Sequence, residues 1–248
     1  MRHPFFVKEK VFSRNILKKD IDKSNNFIYC NVIKNQLVGI INQRHTSIMK
    51  REKGKLTRKS IVEKSLRLFS EKGYYNTSMA DIVQATGLTK GGIYGQFKSK
   101  EEIWHAVYDE AVNIWRSKAF RGTREISNPV DRVGKLTENI LKDFLGAKVF
   151  KKGAFFVPML FEFSGHSVNM TDKISKGFEG FSNLLYRWLK EAADAGLLKK
   201  GLNLEEIANF IFISLNGATS LFVATKDPRI WQHTIRQLEF YVNQLKRG

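Results

Sequence analysis

The stretch from Asn76 to Glu102, NTSMADIVQATGLTKGGIYGQFKSKEE, carries the signals of three successive helix starts. Ser78 and Asp81 have the S-x-x-D spacing of a capping box, predicting a second short helix through Ile82 and Val83 that stops at Gly87. Thr89 is placed to cap a third helix from Lys90 to Phe97, and Ser99 with Glu102 repeats the box at the start of a fourth. Upstream, Val62, Leu66 and Phe69 follow a 4,3 spacing from Thr57, and Gly73 is set to close that first helix in the left-handed conformation.

A short helix, a glycine turn and another short helix match the helix-turn-helix unit, whose second helix enters the DNA major groove. Gly87 supplies the left-handed turn, Ile93 points inward to lock the pair, and Val83 takes the inward position where a small residue usually sits.

These residues resemble the TetR family of bacterial regulators, strongly over about Lys55 to Trp115 and more weakly beyond, where the C-terminal half is similar to AcrR-type members. The resemblance implies that Thr77, Thr89, Tyr94 and Lys100 contact phosphates and that Lys90, Gly91, Gly92 and Gln96 lie nearest the base edges, with Ser78 joining them as the cap of helix two. Hydroxyls and amides at helix N-termini suit phosphate oxygens, and a glutamine amide suits adenine. Two positions depart from the family pattern: Gly95 stands where a large residue is frequent, and Gln96 where histidine is. The operator therefore cannot be carried over from relatives. Read without the family, Thr77, Ser78, Thr89 and Ser99 are ordinary caps and Lys100 a solvated charge.

The rest of the chain keeps helical periods, so the expected class is all-α: a helix-turn-helix domain over 55–115 and a larger effector-binding and dimerisation domain over 116–248. Asn128-Pro129 opens a helix with the stripe Val133, Leu136, Ile140, Phe144 and Ala147. Ile174, Phe178, Phe181, Leu185, Trp188 and Ala192 mark a long helix ended by Gly196. The helix capped by Asn203 and Glu206 is apolar on two faces: Ile207, Ile211, Leu215 and Phe222 on one, Phe210, Ser214, Gly217 and Leu221 on the other. Asp227-Pro228 starts the last, with Trp231, Ile235, Leu238, Val242 and Leu245 in a 4,3,4,3 pattern. Two faces on one helix call for a second copy, and the resemblance implies a four-helix interface made by the last two helices of each subunit. The alternative is that both faces fill the chain's own core.

The family encloses an effector pocket in this half. The expected lining is Trp104, Trp115, Phe144, Phe156, Met159, Phe163 and Trp188, around an aromatic segment Ala154 to Phe163 that Pro158 should disturb. The same aromatic stripes are equally consistent with plain core.

Residues 1–48 show no sustained period and are expected to be a poorly structured basic extension. Either Met49 is the physiological start or the segment is a genuine basic arm. A formal charge of +18 favours polyanionic partners, nucleic acid or acidic lipid. The single cysteine, Cys30, excludes an internal disulfide, and with no signal peptide or spanning segment read, the cytoplasm is the expected compartment. No cofactor, metal or catalytic pattern is expected: P-loop, Rossmann, zincin and nucleophile-elbow patterns are absent from the sequence. Glu162 and His166, at i,i+4, could share a metal but read better as helix polar residues. The functional expectation is a cytoplasmic homodimeric repressor, released from a palindromic operator by a small apolar or aromatic effector. An enzyme and a basic membrane-surface protein are the other readings.

Overall fold

The structure is a computed structural model that describes the backbone of residues 23–146, 150 and 154–247, and the side chains of 38–39, 42–142, 150 and 154–247. The described residues are helical, apart from one isolated bridge between Leu198 and Lys246. The helices are α1 (Lys23–Lys72), α2 (Met79–Thr86), α3 (Lys90–Tyr94), α4 (Lys100–Ala119), α5 (Pro129–Glu138), a π-helical segment (Asn139–Gly146), α6 (Phe156–Phe163), α7 (Val168–Asp194), α8 (Leu204–Thr225) and α9 (Pro228–Leu245).

The chain falls into two units, Met1–Leu56 and Thr57–Gly248. Within the first, residues 23–56 are helical, and the described side chains are exposed apart from a half-buried Gly54. This corrects the expectation of little regular structure over 23–48. Between Lys23 and Leu56 no proline interrupts the chain, and Gly39 and Gly54 are single glycines, too weak as breakers to stop a helix. The lack of a one-sided apolar pattern removes a packing face, not the hydrogen-bonded backbone.

In the second unit, α1 from Thr57 buries Ile61, Val62, Leu66 and Phe69 against Ile82, Ile93, Phe97 and Ile103. Each of those large side chains contributes about 1.5–3 kcal/mol relative to an exposed one. Gly73 ends α1 at φ +87°, its amide donating to the Phe69 carbonyl at 2.9 Å, as the sequence predicts. The larger half packs α7 against α5, α6 and α8, and α9 against α5, α8 and the π-helical segment. Asn128, Ser167, Asn203 and Asp227 each cap the helix that follows, and Pro129 and Pro228 stand in the first turns of α5 and α9.

Pro158 does not disturb α6. It is the third residue of Phe156–Phe163, in the first turn, where an amide has no intrahelical partner and its absence costs nothing. The helix α8 is long and apolar enough to cross a bilayer, a property the sequence reading passed over. Ile207, Ala208, Ile211, Leu215, Ala218 and Phe222 along it are buried in the unit's core.

Candidate nucleic-acid interface and effector cavity

At the start of α2 the capping box is complete. The Asp81 amide donates to Ser78 Oγ at 3.1 Å and the Ser78 amide to the Asp81 carboxylate at 2.8 Å. Lys72 Nζ donates to the same carboxylate at 2.9 Å, and with the Ser78 hydrogen bonds it holds the Asp81 carboxyl far below the usual range. Gly87 follows at φ +69°, and its amide donates to the Val83 carbonyl. The turn needs that left-handed residue to deliver the chain to Thr89, whose hydroxyl accepts from the Gly92 amide at 3.1 Å.

The third helix is shorter than expected. It is helical over Lys90–Tyr94, after which Gly95, Gln96 and Phe97 continue as hydrogen-bonded turns. Ile93 and Phe97 are buried, while Lys90, Gly91, Tyr94 and Gly95 are exposed and Gly92 and Gln96 half-buried. A ridge of small and polar groups thus faces outward from two apolar anchors. Arg58, which the sequence reading missed, ties this ridge to α1: its guanidinium donates to the Gln96 carbonyl at 2.8 Å and lies 3.9 Å above the Phe97 ring. In the sequence it is one of many cations in a basic run, with nothing to single it out.

Two of the residues listed as phosphate contacts are placed differently. Thr77 is fully buried and its hydroxyl donates to the Gly73 carbonyl at 2.7 Å, so it builds the turn and reaches no phosphate. Lys100 Nζ donates to the carbonyls of Tyr74 and Thr77 at 3.0 and 2.9 Å and stands 4.2 Å over the Tyr74 ring. Burial lowers its ammonium pKa, against an opposing influence from Glu162. Much of the lysine's donor capacity is therefore spent on holding the turn. At α4, Ser99 caps the Glu102 amide, but the Glu102 carboxylate accepts from Lys98 rather than Ser99, so the second box is half formed.

The same turn is gripped from the larger half. Glu162 of α6 accepts from the Tyr74 amide at 3.0 Å and the Tyr75 amide at 2.7 Å, so its carboxylate serves the turn and not a metal shared with His166. A Cβ on Gly73 would lie 2.8 Å from that carboxylate. Tyr74, Phe163 and Trp104 stack edge to face beside it, with Tyr75 against His166. Among the described residues no cluster of metal-ligating side chains occurs.

The other end of α6 walls a cavity of about 480 Å³ between α4, α6, α7 and α8, within the usual size of small-molecule sites. Trp115 and Phe156 line it, as expected, with Tyr108, Phe178, Phe181 and Phe212. Burial pushes the Tyr108 phenol up to about 12, keeping it a neutral donor, here to the Lys173 carbonyl. Trp104, Met159 and Phe163 are core residues outside this lining, because they stand on helix faces turned toward the head and interior. Trp188 lines a neighbouring cleft instead, and Phe144 lies outside the residues whose side chains are described.

Two family models match. Residues 61–107 fit bacterial regulatory proteins of the tetR family, and residues 129–238 fit the tetracyclin repressor-like C-terminal domain. The chain belongs to the tetR family. It is 40% identical over 53 residues to the transcriptional regulator AcrR of Shigella flexneri, a match spanning 21% of this chain and 25% of AcrR. It is 22% identical over 163 residues to the fatty acid metabolism regulator of Bacillus subtilis, covering 66% of this chain and 81% of that protein. The crystal structure of a TetR-family regulator from Cytophaga hutchinsonii has the same fold, with TM-score 0.71 and 22% identity over 79% of this chain and 98% of that one. The family and these relatives are transcriptional regulators, not enzymes, and this tetR-family protein carries their DNA-binding helix-turn-helix.

Proposed function

We propose that this tetR-family protein is a cytoplasmic repressor, released from a near-palindromic operator by a small apolar or aromatic effector. The observation that carries the reading is the double use of α6: Phe156 and Val157 stand in the cavity wall, and Glu162 on the same eight-residue helix holds the first turn of the DNA-binding head. A ligand that displaces one end of a rigid rod displaces the other. Helix α4 runs alongside, lining the cavity with Tyr108, Val112 and Trp115 and starting at Ser99 beside the recognition helix. Filling the cavity favours one setting of the head only if the effector binds that setting better.

On the DNA side, Thr89, Lys90, Gly91, Gly92, Tyr94 and Gln96 form the proposed reading surface, with Ser78 at the head of α2. A homodimer supplies two such surfaces about one helical turn apart, roughly 34–36 Å. The proposed interface is the second face of α8 with α9. Phe210, Ile213 and Leu221 on α8 and Phe240 on α9 are 49–65% exposed in the single chain, an apolar area that solvent disfavours. The named function of the Bacillus relative makes acyl compounds the first effectors to try.

The test is selection of bound sequences from genomic fragments, followed by a screen for compounds that release them. Recovery of one near-palindrome that outcompetes random duplex, with release by an apolar compound, is expected. Equal binding to all duplex, or effector and operator binding independently, would overturn the proposal.

A further inference from the structure

Beside the aromatic cavity lies a second, larger space of different chemistry. It is a cleft of about 830 Å³, and its lining includes Arg116, Arg124, Arg132 and Arg187 and no aspartate or glutamate. Arg132 is committed: it pairs with Glu191 at 3.0 Å, donates to the Ile126 and Ser127 carbonyls, and lies 5.4 Å from the Trp188 ring centre. Arg116, Arg124 and Arg187 are exposed and form no ion pair among the described residues. Three unpaired guanidiniums around one concavity repel each other unless an anion joins them, and the planar fork of arginine suits phosphate oxygens above other anions.

The cleft also has aromatic surfaces. Trp115, Phe120, Phe181 and Trp188 line it, and the Phe120 ring stands edge-on to both Trp115 and Trp188. Rings of this kind offer stacking faces to a flat heterocycle. Gly177 and Gly180 on α7 leave the cleft unfilled from that side, and a Cβ at Gly177 would collide with the Tyr108 hydroxyl.

The two spaces are neighbours. Val112, Trp115, Gly177 and Phe181 belong to the lining of both, so a ligand passing between α4 and α7 at Trp115 would occupy an apolar chamber with one end and a cationic one with the other. At the mouth of the apolar chamber, Lys173 is neutralised by Asp109 at 2.7 Å, whereas Lys176 has no carboxylate partner among the described residues.

We infer that the effector is a two-part molecule, an acyl or aryl chain joined to a phosphorylated head of the acyl-coenzyme A kind, with its chain in the aromatic cavity and its phosphates on Arg116, Arg124 and Arg187. This rests on the proposed effector cavity and adds the chemistry of the ligand. A simple apolar effector would leave the arginine cleft unused. A free nucleotide would leave the cavity empty.

The experiment is titration of the full chain with octanoyl-coenzyme A, octanoate, free coenzyme A and a short-chain lysophosphatidate, read by calorimetry and by Trp115 and Trp188 fluorescence. Octanoyl-coenzyme A is expected to bind at least tenfold tighter than either of its halves. An Arg124→Gln, Arg187→Gln double variant should lose at least tenfold for the coenzyme A thioester and leave octanoate unchanged, both residues being exposed and dispensable for folding. Tighter binding of the lysophosphatidate than of the thioester would keep the phosphorylated head and assign it to a lipid. Equal binding of octanoate and octanoyl-coenzyme A, or no response to the double variant, would overturn the inference and leave the effector cavity standing. Failure of every acyl compound to bind, with operator binding intact, would overturn this inference and the acyl-effector reading together.

Discussion

Replacing Glu162 with alanine tests whether α6 holds the DNA-binding head. The carboxylate accepts two backbone hydrogen bonds, from the half-buried Tyr74 amide at 3.0 Å and the exposed Tyr75 amide at 2.7 Å. Hydrogen bonds to a charged acceptor contribute about 1.5–3 kcal/mol each. Water replaces the acceptor at the exposed Tyr75 amide at little cost, so the loss falls mainly on Tyr74 and comes to about 2 kcal/mol. That is about 30-fold in the folding constant, and for a chain of this size it lowers Tm by about 4–8 °C. Urea unfolding at matched protomer concentration gives the energy, and hydrogen exchange over residues 73–79 locates it. The Tyr74 and Tyr75 amides should exchange faster in the variant while those of α8 do not. Glu162→Gln, which keeps one acceptor oxygen, should fall between the two. A variant within about 0.5 kcal/mol of the parent, the scatter of ordinary surface substitutions, with exchange unchanged, would show that the carboxylate only rests on the turn.

Further outcomes follow from the same geometry. Gly73→Ala should cost more than Gly87→Ala in thermal unfolding: both glycines are left-handed, a penalty of about 1–2 kcal/mol for alanine, but only at Gly73 would the new Cβ meet Glu162, while nothing lies within 4 Å at Gly87. Asp81 has its pKa lowered by Lys72 and Ser78, so its contribution to the α2 cap is present above the ordinary value of 3.8 and lost only as pH falls through the depressed one; a carboxyl NMR titration should find it still ionised at pH 4. Ile213→Glu should shift the chain to monomer in light scattering at micromolar concentration, because a 65% exposed isoleucine on α8 belongs to the proposed interface; an unchanged mass would refute that interface. Gln96→Ala should alter which operator sequences are selected, whereas Lys100→Ala should loosen the turn and weaken binding to all sequences, with a salt slope falling by less than the one unit a free phosphate contact would give.

The features legible in the sequence are those whose cause is local. A capping box at Ser78 and Asp81, a glycine at positive φ at 73 and 87, a proline one residue past an Asn or Asp cap: each is set by atoms within four residues, and each is where the spacing placed it. The apolar stripes of α7, α8 and α9 were equally readable, and so was the surplus face of α8. What failed was any statement about which way a stripe turns. Trp104 and Trp115 lie on one helix, eleven positions apart by number, yet one is core beneath the head and the other cavity wall, because α4 meets different partners along its length. Thr77 was misjudged for the same reason: its hydroxyl finds the Gly73 carbonyl before any phosphate can reach it.

The case of α6 shows why such errors gather at the coupling element. Its aromatic density and Pro158 drew attention in the sequence for the wrong reason, since the proline starts the helix rather than bending it. The residue that matters most there, Glu162, acts on amides more than eighty positions away, and no periodicity carries that information. A switch must join parts of the chain that are distant in sequence, so its joints are built from contacts between one element and another's backbone. Backbone amides leave no mark in the sequence. The reading surface is therefore written in side chains at fixed spacing, whereas the link that would move it appears only once the helices are placed.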